Sequence, residues 1–308
     1  YFLGLDVGGG HTKLVLCDLA FTIVDRASLP TPPYEGEAPF FNWRADLCAQ
    51  AVARSGVGKR RLRGIGLSVS GNVDAERGLL VSGANFGLLR GANLPVEKLA
   101  KRLGVPVRAM NTKAAEAWAE YQFGGKAGCG DLVVIGLGVG IGSGVVTSHQ
   151  LLVSHPARPV GYIGHLHFPD NPRACVCGFR GCLEAYSGGR SLAALAAERF
   201  PGRPELHDAG ALDRAAEVGE RAAQELLDKA AHYNAAGVAN MIQLYSPEAL
   251  IFSGAQSRAG GYLYTQTLKA LDELLPEERR QGFSVELTKL GAHQSALGAA
   301  RLAYEKFF

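Results

Sequence analysis

Short apolar runs broken by glycine or aspartate open the chain, at residues 1–7 (YFLGLDV), 11–18 (HTKLVLCD) and 21–29. Runs of this length bounded by turn residues predict strands, the second returning from a tight glycine turn. The pattern then predicts a helix over 40–55, a strand at 63–70, a helix at 95–103 and a strand at 105–110. A further helix starts near Thr112, where Asn111 or Thr112 suits the cap. After a Gly-rich break at 124–130 the pattern restarts. A strand at 131–137 leads into the glycine run Gly138 to Gly144, followed by strands at 145–148 and near 151–154. Ala-rich helices are predicted at 189–199 and 211–244, then a strand at 249–253, a helix at 260–275, a strand at 283–290 and a last helix at 294–307. Each half therefore opens strand, glycine turn, strand, strand, and continues by alternating helix with strand. Two similar α/β domains facing each other across a cleft are the economical reading, and one long mixed sheet is the alternative.

Composition narrows the class. A chain of 308 residues is long enough for two domains, and 47% apolar with 20% charged residues is a globular profile. No apolar run is long enough to span a bilayer and no cationic leader precedes an apolar core, so a cytoplasmic protein without a membrane partner is expected. A net charge of +3 argues against a nucleic-acid partner, and the basic run from Lys59 to Arg63 reads as a solvated loop. Six cysteines are too few for a disulfide scaffold, but Cys175, Cys177 and Cys182 crowd into eight residues.

That crowding points to metal. His165 precedes the three thiols, and zinc favours four sulfur and nitrogen ligands in a tetrahedron. Gly178 and Gly181 let the loop fold back on itself. Free thiols or a disulfide are the alternatives, although the spacing of Cys175 and Cys177 strains a direct bridge. With four protein ligands there is no open position for water, so such an ion is structural. His167 reads as a surface residue or one supporting the ligands. Two glycine loops, Asp6 to Lys13 and Gly136 to Gly144, occupy the same place in each half. Each alone is compatible with a plain hairpin; together they suggest a nucleotide phosphate held by backbone N–H groups. Neither closes with the Gly-Lys-Ser/Thr of a Walker loop.

The run Gly161-Tyr162-Ile163-Gly164-His165, followed by Cys175-Val176-Cys177-Gly178-Phe179-Arg180-Gly181-Cys182-Leu183-Glu184, resembles the ROK family of bacterial sugar kinases and sugar-responsive repressors. The first glycine loop and the second match in position, so the resemblance spans essentially the whole chain. It implies an actin-like, ribonuclease-H-like fold of two duplicated α/β domains around a cleft, with a zinc-binding loop at 165–184. The first domain would be 1–112, completed by 294–308, and the second 113–293. ATP and magnesium would bind in the cleft beside a hexose, and the protein would be a homodimer. Position by position, Asn85, Asn111, Tyr162, His165 and Glu184 correspond to sugar-contacting residues. Asp6, Gly8, Gly9, Thr12 and Lys13 would face the ATP phosphates and magnesium from one lobe, Gly138 and Gly140 from the other, with Gly254 near the adenosine.

Four departures from the family pattern surround that cleft. Thr112 stands where the family has the aspartate that takes the proton from the attacking sugar hydroxyl. Tyr162 replaces a sugar-binding glutamate, which predicts a ligand with fewer hydroxyls there or an apolar substituent. Val139 replaces a threonine of the second loop, and Gly10-His11 is inserted into the first. His11 is either a plain loop residue or, because imidazole titrates near neutrality, a replacement proton carrier. The resemblance therefore implies an ATP-dependent hexose kinase with weakened chemistry, or an inactive sugar- and nucleotide-binding relative. A repressor would need a helix-turn-helix module ahead of the first strand, and that reading is not favoured.

Overall fold

The computed structural model describes residues 1–33, 37–82, 92–93, 96–153, 160–168, 170 and 173–308. The chain divides into two compact units, one of Tyr1–Ala127, Leu151–Val160 and Leu290–Phe308, the other of Gly128–Gln150 and Gly161–Lys289. Among the described residues no helix is long and apolar enough to cross a membrane.

In the first unit β1 (Phe2–Val7) and β2 (His11–Cys17) form an antiparallel hairpin extended by β3 (Ile23–Pro30). Helix α1 (Glu37–Arg54) follows, then β4 (Gly64–Val69), which pairs parallel with β1. Three short strands, β5 (Asn72–Asp74), β6 (Leu79–Ser82) and β7 (Ala92–Asn93), make a small separate sheet that periodicity did not reveal. Helix α2 (Val96–Leu103), β8 (Val107–Asn111) and α3 (Thr112–Phe123) come next. The main sheet has the order β3-β2-β1-β4-β8.

The second unit repeats this plan. Strands β9 (Leu132–Leu137) and β10 (Ile141–Thr147) form an antiparallel hairpin, and β11 (Gln150–Leu151) is much shorter than the strand expected near 151–154. Four α-helices follow, the last much the longest: α4 (Glu184–Ser187), α5 (Gly189–Arg199), α6 (Ala209–Glu217) and α7 (Arg221–Tyr245). Strand β12 (Ala249–Ser253), α8 (Tyr262–Leu274) and β13 (Ser284–Leu287) complete the unit, and its sheet runs β11-β10-β9-β12-β13. In both sheets the first strand pairs antiparallel with the second and parallel with the fourth. Two sheets of one topology displace the alternative of a single long sheet.

The single helix expected over 211–244 is two helices. Gly219 takes a left-handed backbone (φ 93°) that breaks the run between α6 and α7. The second glycine turn is also shorter than its composition suggests, because Gly142 and Gly144 are strand residues paired with Gly136 and Val134.

The last helix, α9 (Gln294–Phe307), belongs to the first unit. A side chain at Gly4 on β1 would collide with the Ala296 carbonyl, and one at Gly66 on β4 with the Ala299 carbonyl. A side chain at Gly298 on α9 would strike the Ala115 carbonyl of α3. Helix, sheet and neighbouring helix thus meet backbone to backbone, and α3 is held in the first unit, whose boundary follows Ala127 and not Thr112. Gly66→Ala is expected to destabilise the protein by about 3 kcal/mol. Urea denaturation of the variant should show a lowered midpoint, with Gly58→Ala, where a side chain meets open space, as control.

Candidate functional site

Strand β1 ends in Asp6-Val7, and the register sets what surrounds the aspartate. Lys13 of β2 and Ser68 of β4 lie opposite Asp6, so all three share one face of the sheet. The Asp6 carboxylate is buried and accepts hydrogen bonds from Ser68 Oγ at 2.8 Å and Thr112 Oγ1 at 3.3 Å. The Ser295 hydroxyl at the start of α9 bonds it as well. Burial holds the Asp6 carboxyl above its usual range against the opposing effect of the Ser295 and Ser68 hydroxyls; the nearby Glu116 carboxylate raises it further and Lys13 lowers it.

Thr12 faces the opposite way. It is buried, and its hydroxyl lies 2.9 Å from that of Thr31. Thr31 also donates to the Gly8 carbonyl at 2.7 Å and, through its N–H, to the Gly10 carbonyl at 2.9 Å. The loop Gly8–His11 is thereby tied down by a threonine that no sequence pattern singled out. His11 itself is exposed.

Asn111 caps α3: its Oδ1 accepts from the N–H groups of Lys113 (2.7 Å) and Ala114 (3.2 Å), and its Nδ2 donates to the Gly71 carbonyl at 2.6 Å. Both acceptor positions are therefore occupied, and one Nδ2 proton is left to offer a ligand. Thr112, the first residue of α3, is buried. Asn85 lies outside the described residues.

In the second unit, the four residues expected to hold metal converge. One ligand atom from each of His165, Cys175, Cys177 and Cys182 lies within 4.8 Å of all the others. His165 Nδ1 is 3.8 Å from Cys175 Sγ, and Cys177 Sγ is 3.6 Å from Cys182 Sγ. A tetrahedron with ~2.3 Å metal–sulfur bonds has edges of about 3.8 Å, so the donor set has the size and chemistry of a zinc cage. The loop closes through Cys175 N–H to Phe179 O (2.8 Å) and Phe168 N–H to Gly181 O (2.7 Å), with Gly178 and Gly181 at φ 97° and 76°. Burial is the largest influence raising the Cys175 and Cys182 thiols, which without a cation favours the protonated form. His167 is outside the cage: it is exposed, and its Nδ1 donates to the Arg180 carbonyl at 2.7 Å.

Glu184 joins this loop to the second glycine turn. Its Oε2 accepts from Ile141 N–H at 2.7 Å and lies where a side chain on Gly140 would be. The Gly138 carbonyl accepts from Gly189 N–H at 2.9 Å and from Gln256 Nε2, while Val139 O accepts from Arg190 N–H at 3.1 Å. The turn is therefore packed on the first residues of α5 and clamped by Gln256, two residues past Gly254, which sequence reasoning did not find. Gly254 has φ 92°, and a side chain there would strike the Leu137 carbonyl. Tyr162 stands beside His165, ring centroids 5.5 Å apart, and its buried hydroxyl has no partner among the described residues. Burial, and secondarily the Glu184 carboxylate, push its phenol upward, so Tyr162 is a neutral donor where a glutamate would accept.

A model of the ROK family matches residues 2–306. The chain belongs to the ROK family. The glucokinase of Streptomyces coelicolor is 29% identical over 318 residues, covering 98% of this chain and 97% of the relative. The N-acetylmannosamine kinase of Shigella boydii is 30% identical over 306 residues, covering 98% and 97%. In structure, the chain resembles a ROK glucokinase from Streptomyces griseus solved with glucose and AMPPNP, at a TM-score of 0.81 and 28% identity, covering 99% of each chain. The fold is that of ROK sugar kinases, the actin-like ATPase fold with mixed α/β sheets.

In this ROK protein Asp6 opposes folding at neutral pH. A carboxyl whose folded value is raised gives its full stability below the unfolded value, about 3.9, and loses it as pH climbs toward the folded one. Asp6→Asn should therefore raise Tm at pH 7, and the gain should shrink as pH falls toward about 4 and be largely gone below it. Thermal melts of both proteins across that range check the sign.

Proposed function

We propose that this protein is an ATP- and magnesium-dependent carbohydrate kinase of the ROK type, acting on a hexose or hexose-like sugar. The observation that carries the reading is end-to-end likeness to proteins named glucokinase and N-acetylmannosamine kinase. The S. griseus relative with glucose and AMPPNP supports a sugar and a nucleotide as the two ligands. Asn111, Tyr162, His165 and Glu184 would meet the sugar. Asp6, Gly8, Gly9 and Lys13 would serve the phosphates, and Gly138, Gly140 and Gly254 the nucleotide. Thr12, engaged with Thr31, would hold the first loop in shape. Magnesium would supply charge neutralisation at the phosphates, and Asp6 is the buried carboxylate available to it.

A zinc ion in the His165, Cys175, Cys177 and Cys182 cage would be structural, since all four positions come from protein. It would fix the loop that carries Glu184 to the turn at Gly140. With Nδ1 turned to the thiols, His165 keeps Nε2 for a sugar hydroxyl. Metal analysis of purified protein should give one zinc per chain, and Cys177→Ser should remove it together with sugar binding. Sugar affinity that survives in folded, zinc-free protein would break the link between cage and pocket.

A second reading has its own observation. The hydroxyl at position 112 donates to Asp6, so that position offers no base. Loss of a positioned base lowers rates by ~10²–10⁴, or about 3–5 kcal/mol of barrier. The protein would then bind sugar and nucleotide without turnover. Calorimetry with sugars and nucleotides, alongside transfer of labelled phosphate from ATP to a sugar panel, separates the two. Turnover supports the kinase, binding alone supports the second reading, and neither sinks both.

A further inference from the structure

The turn between β9 and β10, Gly138 to Gly140, directs every one of its carbonyls into the protein. Gly138 O accepts from Gly189 N–H at 2.9 Å and from Gln256 Nε2, Val139 O from Arg190 N–H at 3.1 Å, and Gly140 O from Gly138 N–H at 3.0 Å. A trans peptide points its C=O and its N–H in opposite directions. The N–H groups of Val139 and Gly140 therefore point away from the first residues of α5, and among the described residues neither has an acceptor. The next N–H, of Ile141, is taken by Glu184 Oε2 at 2.7 Å. Two successive N–H groups without acceptors suit an anion. The side chain between them adds no donor, since Val139 is apolar and 62% exposed. Any grip of this turn on a phosphate is set by the direction of its backbone.

Glycines leave that direction loosely set, and Gln256 restricts it. Its own N–H donates at 3.0 Å to the carbonyl of Leu137, the last residue of β9. Main chain and side chain of one residue thus hold the turn at its root and at its first carbonyl. The amide also lies against α5, where a side chain on Gly189 would come within 2.8 Å of Gln256 Nε2. Stability does not call for a glutamine here. The Gly138 carbonyl already has the Gly189 N–H, and a second bond to a satisfied acceptor adds little. Gln256 Oε1 is buried with no partner among the described residues, which is unfavourable. What the amide adds is direction. Two donors from segments far apart in the chain fix the plane of the Gly138–Val139 peptide, and with it the Val139 N–H.

We propose that Gln256 is a positioning residue for the phosphates of a nucleoside triphosphate, acting through the turn and not on the ligand. It holds the Val139 and Gly140 N–H groups in the direction from which they donate to phosphate oxygens. This rests on the sugar-kinase reading, in which Gly138 and Gly140 serve the nucleotide. Both polar atoms of the Gln256 amide are turned inward, Nε2 onto Gly138 and Oε1 into the protein, so neither is offered to the nucleotide. The effect of Gln256 therefore falls on the phosphates alone. Adenosine, which lacks them, gains nothing from the turn, and the sugar is met by other residues.

The test measures by calorimetry the binding of AMPPNP, of adenosine and of a hexose panel to wild type, Gln256→Met and Gln256→Glu. Methionine keeps the length of the side chain and removes the donor. Glutamate keeps the shape and sets an oxygen against the Gly138 carbonyl. Gln256→Met should weaken AMPPNP about tenfold, the factor that corresponds to one hydrogen bond, and leave adenosine and hexose within about twofold. Gln256→Glu should weaken AMPPNP at least as much. The ratio of AMPPNP to adenosine affinity within each variant is the readout, because partial unfolding lowers both alike and does not imitate the effect. Where Gln256→Met does not fold, Gln256→Glu is read the same way. Unchanged AMPPNP affinity overturns the proposal, as does an equal loss for AMPPNP and adenosine, and either result leaves the kinase reading standing. Wild type that does not bind AMPPNP ends the kinase reading, and this proposal with it.

Discussion

The close approach of α9 to the first sheet is the constraint on which the site in that unit depends. Glycines at 4, 66 and 298 let carbonyls of α9 and α3 sit where side chains would otherwise stand. Backbone contact at three points fixes α9 along the sheet to within a fraction of a residue, since packed interiors tolerate little displacement. Only then does Ser295, at the start of α9, reach Asp6 on β1, together with Ser68 from β4 and Thr112 from α3. Three elements supply the carboxylate on a fourth with its partners, and a methyl group at any of the three glycines would meet backbone.

The second unit uses a different device for the same purpose. Its glycine turn is short, and the groups that steady it come from far along the chain. Glu184 bonds the N–H after the turn, Gln256 and Gly189 bond the carbonyl that opens it, and Arg190 bonds the next. Since Glu184 follows directly on Cys182-Leu183, the sulfur and imidazole cluster is mechanically continuous with the turn. A cation in that cluster would act on the turn through covalent structure and one hydrogen bond, without touching a ligand itself.

Much of this was legible in the residues. Strands such as Phe2–Val7 and Leu132–Leu137 are buried on both faces and read as mostly apolar runs, so their existence and duplication were visible. The convergence of His165, Cys175, Cys177 and Cys182 was expected because three cysteines crowd into eight residues soon after a histidine. What escaped has physical causes. The three-stranded sheet of β5, β6 and β7 is built from strands of two to four residues, too short for a period to register. The break at Gly219 interrupts an Ala-rich stretch whose composition is helical on both sides. Thr31 and Gln256 act through single hydrogen bonds to loops distant in sequence, and nothing local marks them.

By itself the sequence determined the strand and helix plan, its repetition, the cluster of one histidine and three cysteines, and the family that carries it. These are local or compositional properties, set by side-chain period, glycine placement and donor chemistry. Only the tertiary structure decided which way each polar group turns. It put Thr12 on the far face from Asp6, spent both acceptor positions of Asn111 on a helix cap, and aimed Glu184 at Ile141. It also drew Thr112 to Asp6 and left Glu116 buried one turn away. Strand register and the seating of α9 between glycines select those directions, and both are set by contacts between segments far apart along the chain.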